Sequence, residues 1–150
     1  DITARISKGA DLLDEEKGKE ARQELAPVLD LIYGLRDRAG RKGYSECVTD
    51  LNRHMDFLFK WRHDRPDFTV PGTADTVMQA ALKYRDILRA CRAMAPAHYQ
   101  KAADFKRIYD GADASISSMP QAVERKDALG VINILRELRS FDRILFFKLG

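Results

Sequence analysis

A chain of 150 residues with 45% hydrophobic and 33% charged side chains is long enough for one domain with a sizeable core, and too apolar to be disordered. Its 26 basic and 23 acidic side chains leave a net charge of +3, short of the concentrated positive field of a committed nucleic-acid binder. Charged residues interrupt every apolar run, so no segment reaches the ~18 apolar residues of a membrane span.

Apolar residues recur at helical spacing almost throughout, and no stretch alternates with a period of two for long enough to predict a strand. Ile2, Ile6, Ala10 and Leu13 give a short amphipathic segment broken by 14-DEEKGK-19. Residues 1–18 are therefore read as an N-terminal arm or short helix, and residues 19–150 as a helical bundle domain. A long helix follows, with Leu25, Val28, Leu29, Ile32 and Leu35 on one side. Pro27 is placed near its start, where a missing amide donor costs least, and 39-AGRKG-43 is its stop. The next helix carries Tyr44, Cys47, Val48, Leu51, Met55, Leu58 and Trp61, until 64-DRPDFTVPG-72 breaks it with two prolines and a glycine. Thr73 or Asp75 opens a helix through Val77, Ala81, Tyr84, Leu88 and Cys91 that ends at Pro96. Another runs through Ala102, Phe105, Tyr109, Ala112, Ile116 and Met119 to a stop at Pro120. The last begins near Asp127 and continues through Val131, Leu135, Leu138, Phe141 and Leu145. Long helices with short connections predict an all-α fold, an up-and-down antiparallel four-helix bundle with a short N-terminal arm.

Cys47 and Cys91 are the only cysteines. They stand at equal distances on either side of Thr69, which lies within the breaker segment one residue past its middle. An antiparallel hairpin about that turn would bring both thiols to one end, on facing sides. Two readings follow: a disulfide in an oxidising compartment, or two buried free thiols in a reducing one.

Little else suggests chemistry. His54, His63 and His98 have no second histidine three or four residues away, and the His63, Asp64 and Asp67 corner lacks a matched ligand set. The consecutive carboxylates of 14-DEE-16 would splay around a helix. There is no phosphate-binding glycine loop, nucleophile elbow or Glu-x-x-His pair. The expectation is a chain without catalytic residues, metal or cofactor.

What remains is surface. Arg85, Arg89 and Arg92 form one stripe at helical spacing, and Arg136, Arg139 and Arg143 repeat it on the last helix. Such stripes are either solvated faces or docking faces for acidic partners. The excess of Arg over Lys favours docking, since a guanidinium grips carboxylates in a fork. Phe59 and Trp61, flanked by Lys60 and Arg62, could stack on nucleobases, but helical geometry turns one of the rings into the core. Phe146 and Phe147 are adjacent, and about 100° of helical turn separates neighbours. At least one ring is therefore expected outside the seam, as an apolar anchor beside Arg136, Arg139 and Arg143.

The organisation resembles a known family, the PsbQ-type extrinsic lumenal subunits of photosystem II. The likeness rests on a four-helix bundle of this length, the mild basic excess, the Arg-rich, Tyr-bearing helix 82-LKYRDILRACRAM-94, and a final helix closing on 148-KLG-150. The cysteine pair and the lack of a long proline-rich N-terminal arm depart from the plant form and point to an algal type or an assembly factor. Segments 28-VLDLIYGLRDR-38 and 57-FLFKWRHD-64 are also similar to the photosystem II repair and assembly factor of the thylakoid lumen. The resemblance implies a non-catalytic cap, monomeric when free, in the chloroplast thylakoid lumen and peripheral to the membrane. Its partners would be the photosystem II core and the other extrinsic subunits. It would stabilise the oxygen-evolving manganese cluster and help it retain calcium and chloride, carrying no cofactor of its own.

Overall fold

A computed structural model describes residues 1–14, 17–39 and 43–149, and among these every regular element is helical, with no strand. The chain divides into two compact units, residues 1–42 and 43–150. The boundary expected from the polar run lies earlier, at residue 18. The later division arises because the second helix finds its partner in the first.

In the first unit, helix α1 (Ile2–Asp14) packs on α2 (Gly18–Arg38). Gly9 makes this approach possible: a Cβ there would come within 2.6 Å of the Leu25 side chain. Glu24 accepts from Arg5 at 3.2 Å and from Lys8 at 2.9 Å, and the bond from Lys8 is the main reason its carboxyl titrates below the usual range. Ala21 and Val28 are buried.

Two expectations change here. Pro27 lies in the interior of α2 rather than near its start, because the helix already begins at Gly18. Leu29, Ile32 and Leu35 are exposed, since within this unit one short neighbour covers only one side of α2. The glycine and cations proposed to stop this helix, at positions 40–42, lie outside the described residues, as do Glu15 and Glu16.

The second unit contains α3 (Tyr44–Phe59), a 3₁₀ turn (Lys60–Arg62), α4 (Thr73–Met94), α5 (Ala97–Gln100), α6 (Ala103–Ser117), α7 (Met119–Glu124) and α8 (Ala128–Ile144). A π-helical turn over Leu145–Leu149 ends it. Helix α3 packs on α4 and α8, and α6 packs on the same two. Each of these four helices therefore covers two others around a common core that includes Leu51, Met55, Tyr84, Leu88, Tyr109, Ile116, Leu135 and Leu138.

Helix boundaries follow local chemistry. Glu46 accepts the Gly43 N–H at 2.8 Å, closing the first turn of α3. Asp127 caps α8 by accepting the Gly130 N–H at 2.8 Å. Pro120, expected only as a stop, instead sits in the first turn of α7, where it needs no amide hydrogen. Gly111 serves the contact of α6 with α8, because any Cβ there would collide with the Phe141 ring.

Candidate functional site

The two arginine stripes have different surroundings. On α4, Arg89 donates to both carboxylate oxygens of Asp113 at 2.7 and 3.2 Å, and Arg92 lies 2.8 Å from Asp110, which Lys106 also binds. Lys106 first, then Arg92, hold the Asp110 carboxyl below the usual range. The Arg92 guanidinium also lies 5.8 Å from the centre of the Tyr109 ring. Arg85 lies 3.8 Å from its neighbour Asp86, with a buried Nε that has no hydrogen-bond partner among the described residues. Two of the three α4 arginines thus hold α4 to α6. Asp110 and Asp113, three apart on the facing helix, are the sequence signal for this pairing.

On α8 the division runs the other way. Only Arg139 is drawn inward: it lies 2.7 Å from Asp56 and 5.3 Å from the centre of the Phe59 ring. Arg136 and Arg143 are exposed, and neither guanidinium has an ion-pair partner among the described residues. One turn beyond Arg143, Phe147 is 78% exposed. Phe146 is half-buried against the core and meets Phe147 edge-on at 5.3 Å. Of the candidate docking residues, Arg136, Arg143 and Phe147 therefore share one open face. Arg85, Arg89, Arg92, Arg139 and Phe146 do not belong to it.

A buried polar cluster lies behind this face. Asp142 is 1% exposed, yet it stands in the seam between Leu138 and Leu145. It accepts from Asn52 at 2.7 Å and from Tyr84 at 3.0 Å, with Arg139 at 3.7 Å. Burial raises its carboxyl above the usual range, against the opposing pull of those hydrogen bonds and of Arg139. Burial likewise pushes the Tyr84 and Tyr109 phenols upward, so both are neutral, and Tyr109 shares a 3.0 Å hydrogen bond with Tyr44. A charged residue at a core position of α8 was the available signal for this cluster.

Cys47 and Cys91 form a disulfide with Sγ atoms 2.11 Å apart and Cα atoms 5.5 Å apart, linking the start of α3 to the end of α4. Trp61 is buried, and Phe59 packs on the core beneath Arg139 and near Arg62, so neither ring offers a free stacking platform. In the His63 corner, Asp67 accepts from the hydroxyl and N–H of Thr69, and His63 faces Phe59. Among the described residues no group of three His, Cys, Asp or Glu side chains could hold a metal ion, and no helix is long and apolar enough to cross a membrane. No family model, curated protein or solved structure matches the chain.

Proposed function

We propose that this chain is a non-catalytic docking subunit, of the PsbQ type in its algal form, on the lumenal side of photosystem II. There it would bind the core and the other extrinsic subunits as a peripheral protein of the chloroplast thylakoid lumen. It would support the manganese cluster and its retention of calcium and chloride. The finer architecture belongs to the same reading: α3, α4, α6 and α8 as an up-and-down antiparallel four-helix bundle.

The observation that carries docking is the division of the arginines. A guanidinium already gripping a neighbouring carboxylate has little left for a partner, whereas Arg136 and Arg143 have no ion-pair partner among the described residues and can offer their donors to an acidic surface. Phe147 beside them supplies the apolar contact that charges alone lack. The disulfide suits an oxidising compartment.

The test is rebinding to photosystem II membranes stripped of their extrinsic proteins. The chain is expected to rebind at low salt, to restore oxygen evolution, and to be released by about 1 M salt, where the Debye length falls to about 3 Å. Failure to rebind, or retention through that wash, would sink the proposal.

A further inference from the structure

The open face of α8 extends beyond the three residues that carry the docking reading. Leu129, Asn133, Arg136, Ser140, Arg143 and Phe147 are all exposed. Their spacings of four, three, four, three and four keep them on one side of a helix. Leu129, 58% exposed, and Phe147 mark its two ends, about 27 Å apart at 1.5 Å per residue. Between them the stripe is polar. The two guanidiniums, unpaired among the described residues, stand about 10 Å apart along the axis, with the small Ser140 side chain between them. Glu137, also exposed, is one residue from Arg136 and so points about 100° away from the stripe. Lys148 adds a further exposed cation at the Phe147 end.

From this pattern we infer that the outer face of α8 docks an acidic α-helix of a partner protein, with carboxylates seven residues apart meeting Arg136 and Arg143 and an apolar pocket receiving Phe147. The inference rests on the docking reading above and names the partner chemistry of the same face. A seven-residue repeat returns to the same side when two helices run nearly parallel or antiparallel, so two guanidiniums at that spacing match carboxylates at that spacing. Ser140 lets the two backbones approach between the ion pairs. The stripe is poorly suited to an anionic bilayer, whose binding would need a continuous apolar face. Here the apolar residues lie at opposite ends with hydrogen-bonding residues between them.

The experiment uses the full chain and three probes. The first is an alanine-rich helical peptide with glutamates seven residues apart and a leucine one turn beyond; the second has its glutamates moved to five apart; the third is vesicles of phosphatidylglycerol and phosphatidylcholine in equal parts. The first peptide is expected to bind with salt-sensitive affinity, at least about tenfold more tightly than the second. Arg136→Ala with Arg143→Ala should remove most of that binding. Phe147→Ser should weaken it without moving the thermal midpoint, and Arg92→Ala should leave it unchanged. Equal binding of the two peptides, no binding of either, or stronger binding to vesicles through the same residues would overturn the inference. If the chain rebinds stripped photosystem II membranes and the double variant rebinds equally well, this face is not the one used and the docking reading stands. If the peptide binds through this face but the membranes do not, the photosystem reading fails and the helix partner stands.

Discussion

At the scale of single residues, Asp142 is the side chain most at odds with its surroundings. It holds three helices together, through Asn52 on α3, Tyr84 on α4 and its own α8. Yet its raised pKa means that burial of the charge outweighs what those contacts return. Below the unfolded value of 3.8 the carboxyl is protonated in both the folded and unfolded chain, and no pH dependence arises from it. Between 3.8 and the higher native value the folded chain holds the proton more tightly, so stability from this group falls as pH rises through that window. Above the native value the cost is constant. Asp142→Asn keeps an acceptor for Tyr84, and Asn52 can turn its amide to match. The variant is expected to melt higher than the parent at pH 7, with the gap closing as pH approaches 4; a midpoint several degrees lower at pH 7 would show that Arg139 attraction dominates. Thermal melts at both pH values decide it.

At the scale of elements, the outlines of α3, α4, α6 and α8 were legible because each carries a periodic apolar seam ended by Pro, Gly or an Asp cap. Two features of α2 were not. Its start at Gly18 was hidden by a polar run that reads as a break, and the exposure of Leu29, Ile32 and Leu35 depends on what lies opposite them. Periodicity reports that a helix has an apolar side, not that the side is covered. The same limit applied to the arginines. Spacing placed Arg89 and Arg92 on a stripe, but only the carboxylates of α6 show that they serve as clasps between helices. The cysteines were different, since a mirror position about a turn fixes spatial proximity as well as face. Replacing both by Ala should cost about 4 kcal/mol in the chain-entropy picture of a loop of this length. That corresponds to a fall in thermal midpoint of more than about 10 °C. An unchanged midpoint, or a parent chain whose mass does not rise by two hydrogens on reduction, would contradict the bonded state.

At the scale of the whole molecule, the division after residue 42 separates two kinds of stability. The second unit closes a core on itself, and residues 43–150 expressed alone are expected to melt in one cooperative step with the helical signal intact. A peptide of residues 1–42 has two helices, one shared seam and several exposed leucines and isoleucines. A unit so small buries too little surface to offset its chain entropy. Circular dichroism should find it largely unfolded; a stable, cooperative helix signal from that peptide would reverse this expectation.

The disulfide bears on the second unit in another way. Cys47 is 3% exposed and Cys91 0%, so a reductant in solution cannot reach either sulfur while α3 and α4 remain together. The bond then acts as an internal clock. Its rate of reduction under native conditions counts how often the helix pair opens, with a thiol label recording each event. Slow labelling that quickens in step with added denaturant would give the free energy of that opening directly, without melting the protein.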